Sequence, residues 1–170
     1  MVIHVAYGDL PLLTVDAIVN PGNSLGIMAE AGGITGRIAA AAGPTVEAEV
    51  REAAPLAIGA AIVTEPGELF CKAVIHVPII EAPGDKVGVE NVRRAARAAL
   101  LASAQKEYAT IAIPAIGSGT TGVPMDESAR AIVDELRAHR HPNPSTVWLI
   151  ASHAEQLWAF EDSLRSSGQG

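Results

Sequence analysis

The chain has 170 residues, a formal net charge of −7, 49% hydrophobic residues and only 4% aromatic ones. Length and composition predict a single globular domain over 1–170, with a core of Ala, Val, Ile and Leu, and exclude a disordered chain. The acidity argues against a non-specific grip on DNA or RNA, which needs clustered Lys and Arg, but leaves room for one small anionic ligand in a local pocket.

VIHVA (2–6) reads as a short strand, and DAIVN (16–20) as a second that is apolar on both faces. NPGNSLGIMAEAGGITG (20–36) follows, with five glycines, two asparagines, no lysine and Glu30 as its only charge. From Ile34 the spacing of Ile34, Ile38 and Ala41 predicts a helix. Gly43 stops it and Pro44 opens the next. AAIVTE (60–65) and KAVIHVP (72–78) are strands, and 88 to about 106 is the longest helix, with Val89, Val92, Ala96, Ala99 and Leu100 on one side. TIAIPAI (110–116) is a buried strand, GSGTTGVP (117–124) a loop, and Pro124 with Asp126 starts a helix that HPNP (141–144) ends. TVWLIAS (146–152) is the last strand, 153–165 the last helix, and 165–170 a frayed tail. Apolar strands alternating with helices predict an α/β layered fold with a largely buried sheet.

The single cysteine, Cys71, allows no internal disulfide and reads as a small buried residue. No apolar run approaches the ~20 residues that span a bilayer. MVIHVAYGD lacks the basic and apolar regions of a signal peptide, so a soluble cytoplasmic protein with no membrane partner is expected. No His/Cys/Asp cluster has metal-ligand spacing, so no metal is expected. Trp148 and Trp158 read as core, and His76 as a structural residue within its strand.

Two glycine-rich loops each follow a buried strand and precede a helix. In open α/β sheets ligands sit at the carboxyl ends of strands. Glycine lets backbone N–H groups approach a ligand closely, and successive N–H groups at a helix start form an anion pocket without any basic side chain. Two such loops on one edge of a sheet can grip a diphosphate from both sides. A P-loop string is absent, and GSGTTG (117–122) matches GxGxxG only late in the chain, where no suitable acidic residue closes a following strand.

GDL (8–10), VDAIVNPGN (15–23), AGGITGRIAAAAG (31–43) and IAIPAIGSGTTGVP (111–124), in this order and spacing, resemble the signature segments of the macro domain family. The resemblance runs from about residue 3 to residue 165. It implies a three-layer α/β/α fold, a mixed, mostly parallel sheet of about six strands with helices on both faces, and a cleft that binds ADP-ribose without a cofactor. Asp9, with Leu10 beside it, takes the place of the acid that accepts the adenine amino group. Asn23 takes that of the asparagine at the distal ribose, and is the one residue given a catalytic role. Asn20 is expected to bond loop backbone. Gly32, Gly33 and Ile34 match the first diphosphate loop; Gly117, Ser118, Gly119, Thr120, Thr121 and Gly122 match the second, with hydroxyls from Ser118 and Thr120.

Three positions depart from the family pattern. Thr35 stands where many de-ADP-ribosylating members carry an acid, and threonine cannot act as a general base near neutral pH. Thr121 stands where an aromatic ring is common. His153 is the nearest planar group for stacking on adenine. Glu30, beside the first loop, is a conceivable base but reads as an exposed carboxylate. Three functions therefore stay open: a hydrolase of ADP-ribosyl or O-acetyl-ADP-ribose esters, a non-catalytic reader of ADP-ribose, and a poly(A)- or RNA-binding module. The acidity and scarce aromatics count against the last.

Overall fold

A computed structural model describes residues 1–119, 122–166 and 168. Among the described residues six strands form one sheet: β1 (Val2–Tyr7), β2 (Ala17–Asn20), β3 (Ile62–Thr64), β4 (Ala73–His76), β5 (Thr110–Pro114) and β6 (Thr146–Ala151). Their order is β1-β6-β5-β2-β4-β3. Only β3 runs antiparallel, against β4; the other neighbours are parallel. The α-helices among the described residues are α1 (Gly33–Ala42), α2 (Pro44–Ala53), α3 (Val89–Gln105), α4 (Met125–Ala138) and α5 (Ala154–Ser166).

The sheet is apolar on both sides because both sides are covered. Successive residues alternate between two cores. Ala17, Val19, Ile111, Ile113, Val147 and Leu149 face the layer built from α3, α4 and α5. Ile18, Val74, Ala112 and Ile150 face α1 and α2, against Ile38, Ala42, Val46 and Val50. This is the three-layer α/β/α architecture that the resemblance implied.

Two details depart from the sequence reading. Trp158 is 66% exposed rather than core. On α5 the inward residue is Phe160, and a position two residues away lies about 200° around the helix. Trp148 is partly buried and stacks on the His4 ring at 4.2 Å between centroids. In addition, α5 continues through Arg165 and Ser166, so the start of the expected tail is helical; Ser167, Gln169 and Gly170 lie outside the described residues. No helix among the described residues is long and apolar enough to cross a membrane.

Candidate functional site: a cleft between two glycine loops

Strands β2 and β5 are neighbours at the centre of the sheet. The chain leaving β2 goes to α1 on one face, while the chain leaving β5 goes to α4 on the other. The two connections diverge, and a crevice opens at the carboxyl ends of the strands, where α/β sheets bind ligands. Here it is a cleft of about 610 Å³ lined by both glycine loops, within the size range of small-molecule sites.

On the first side, Gly32 (φ 70°) and Gly33 (φ 55°) hold left-handed backbone that other residues adopt only at a cost. A Cβ on either would meet nothing within 4 Å, so both backbones face open cleft. The first main-chain bond of α1 runs from the Gly36 N–H to the Gly32 carbonyl at 2.9 Å. No side chain caps the helix, and its first turn holds no acid. The N–H groups of Gly33, Ile34 and Thr35 are therefore left for a ligand, at the positive end of the helix dipole.

A buried polar chain supports this loop from behind. The Thr35 hydroxyl donates to Asn20 Oδ1 at 2.8 Å, with the Pro21 carbonyl at 3.2 Å. Asn20 Nδ2 donates to His76 Nδ1 at 3.0 Å. His76 Nε2–H then donates to Thr64 Oγ1 at 2.9 Å, and Thr64 donates to the Glu65 carbonyl at 3.1 Å. Every donor meets an acceptor only if His76 is neutral and protonated on Nε2. Its burial holds its pKa down at about 3. Asn20 is thus structural, as expected, but it bonds side chains rather than loop backbone.

On the second side, the Val123 N–H donates to the Gly117 carbonyl at 2.7 Å and the Gly122 N–H to the Gly119 carbonyl at 3.0 Å. A side chain on Gly122 would overlap the Gly117 carbonyl oxygen, so only glycine closes this turn. Gln156, on α5, accepts from the Ser152 N–H at 2.8 Å and from its hydroxyl at 3.0 Å. Its Nε2 lies 3.5 Å from Ser118 Oγ, linking the end of β6 to the loop.

Residues 19–132 match the Macro domain family. The chain belongs to that family. A protein of Aquifex aeolicus is 38% identical over 164 residues, covering 96% of this chain and 98% of its own. A protein of Enterobacter cloacae named O-acetyl-ADP-ribose deacetylase is 34% identical, covering 98% of this chain and 96% of its own. Among solved structures, the Oceanobacillus iheyensis macrodomain with ADP superposes with a TM-score of 0.84 at 24% identity, over 97% of this chain and 90% of that one; the likeness establishes a shared fold.

The cleft of this Macro domain gathers Leu10, Asn23, Gly32, Gly33, Ile34, Thr35, Gly117, Ser118, Gly119, Gly122 and His153. Asp9 is exposed and sits between two lining residues, Gly8 and Leu10. Thr120 and Thr121 lie outside the described residues. Glu30 is exposed and is not among the lining residues. Asn23 is 3% exposed, and its amide is half committed: Nδ2 donates to the Ile27 carbonyl at 2.8 Å and Oδ1 accepts from the Ile27 N–H at 3.1 Å. One N–H and one lone pair remain for a ligand.

Sequence reasoning missed Arg37, Asp85 and Gln156, which also line the cleft. Arg37 carried a usable signal, falling one helical turn after Gly33. Asp85 and Gln156 carried none, because only the folding of loop 80–87 and of α5 brings them to this rim.

Proposed function

We propose that this cleft binds ADP-ribose or an ester of it. The observation that carries the reading is the pair of opposed glycine loops, one supplying the unbonded N–H groups of Gly33, Ile34 and Thr35. Linked phosphates placed there receive hydrogen bonds from preorganised backbone, at the positive end of α1. Asn23 offers its remaining donor and acceptor to the distal ribose. Leu10, Ile150 and His153 enclose the adenine end, with Asp9 at its edge to accept the adenine amino group.

We propose further that the bound nucleotide is a substrate. The deacetylase name of a relative that matches nearly end to end favours this over a passive reader. Thr35 is no obstacle to binding but supplies no base. Its hydroxyl is spent on Asn20 and Pro21.

The test mixes the wild-type protein with ADP-ribose, AMP and O-acetyl-ADP-ribose while binding heat and acetate are followed. The wild type binds ADP-ribose one to one and releases acetate from the ester. Gly33→Glu, which sets a carboxylate into the anion pocket, loses both. Binding without acetate release would reduce the protein to a reader, and undiminished affinity in Gly33→Glu would remove the first loop from the site.

A further inference from the structure

Ester hydrolysis needs a group that takes a proton from the attacking water, and the cleft offers few. Among its described lining residues Asp85 is the sole carboxylate. The fold sets it at a defined place. Ile80 forms an isolated parallel bridge with Asn23, and the Ser24 N–H donates to the Ile80 carbonyl at 2.9 Å. Seven residues later, Val87 packs so closely over Gly117 that a Cβ there would lie 3.0 Å from Val87 Cγ1. The segment between them therefore crosses from the Asn23 end of the first loop to the second loop and walls the cleft there, with Asp85 in the crossing.

Asp85 is exposed at the rim of the cleft, and its carboxylate is held within its own turn. The Asp85 N–H donates to the Ala82 carbonyl at 3.2 Å, and Asp85 Oδ2 accepts the Ala82 N–H at 3.0 Å. This closed turn consumes one carboxylate oxygen and leaves Oδ1 for another donor.

We infer that Asp85 is the general base that activates water against an acyl ester on the distal ribose, in the role that Thr35 cannot fill. The inference rests on the hydrolytic reading above. Water oxygen bonds to the acyl carbon as Asp85 takes its proton, and the carbonyl electron pair moves onto oxygen. When that tetrahedral centre collapses, the bond to the ribose oxygen breaks and Asp85 returns the proton to the departing hydroxyl. The products are the free acid and ADP-ribose.

The test compares wild type, Asp85→Asn and Asp85→Glu with O-acetyl-ADP-ribose as substrate and ADP-ribose as ligand. Asparagine still accepts the Ala82 N–H, so the turn survives. The expected result in Asp85→Asn is a fall in kcat of about a hundredfold or more, an affinity for ADP-ribose within about threefold of wild type, and loss of the acid limb of the kcat–pH profile. Asp85→Glu restores part of the rate. Full turnover in Asp85→Asn overturns the inference and leaves the hydrolytic reading standing. Acetate release absent from the wild type itself, with ADP-ribose still bound, overturns the inference together with hydrolysis but not the binding cleft. A parallel loss of affinity and rate reduces Asp85 to a binding residue and contradicts its role as base.

Discussion

Thr35 stands where many relatives carry an acid, yet it does structural work together with Asn20 and His76. Each of their side-chain polar atoms faces a partner in the chain, and burying such groups without one costs about 1–3 kcal/mol each. The chain has a pH signature. His76 has a folded pKa of about 3 against an ordinary 6.5. Between those values the unfolded state binds a proton that the folded state refuses, so stability falls as pH drops from about 6.5 towards 3. Denaturant midpoints at pH 7, 5.5 and 4 should show this slope in wild type and a shallower one in His76→Gln; equal slopes would mean that His76 is not held neutral. Of this set the sequence singled out Asn20, Thr35 and His76, the last as structural, but neither Thr64 nor the connections. Nothing in the spacing of positions 20, 35, 64 and 76 announces that four segments converge on one set of hydrogen bonds. The same limit hid Asp85, whose placement depends on how a whole loop returns across the cleft.

At the scale of elements, legibility was high wherever one face of a strand or helix decides the outcome. The apolar runs of β2, β4, β5 and β6 could only be buried strands, and the break at Gly43–Pro44 separated α1 from α2 as its chemistry requires. Trp158 is the exception, because hydrophobicity alone carries no helical phase and the buried face of α5 belongs to Phe160. The second glycine loop makes the sharpest claim at this scale. Gly122 leaves no room for a Cβ beneath the Gly117 carbonyl, so Gly122→Ala must open the turn. Its ADP-ribose affinity should drop about tenfold or more, equivalent to about 1.4 kcal/mol, with the far-UV spectrum retained. Wild-type affinity in that variant would show that this turn does not hold the ligand.

For the molecule as a whole, the proposed function sets an anion in a pocket of an acidic chain. Its net charge is −7, and among the described lining residues of the cleft the one Lys or Arg is Arg37. Positive potential is therefore supplied mainly by backbone N–H groups, arranged where β2 and β5 send their connections to opposite faces of the sheet. On the proposed function that arrangement suits a compact diphosphate better than a long polyanion, since the described lining of the cleft holds no run of Lys and Arg to neutralise further phosphates. The amide resonances of a ¹⁵N-labelled sample titrated with ADP-ribose read this claim directly. The largest shifts should fall on Gly33, Ile34, Thr35, Ser118 and Gly119. Shifts confined to side chains, or centred on other elements while these five amides stay in place, would contradict it.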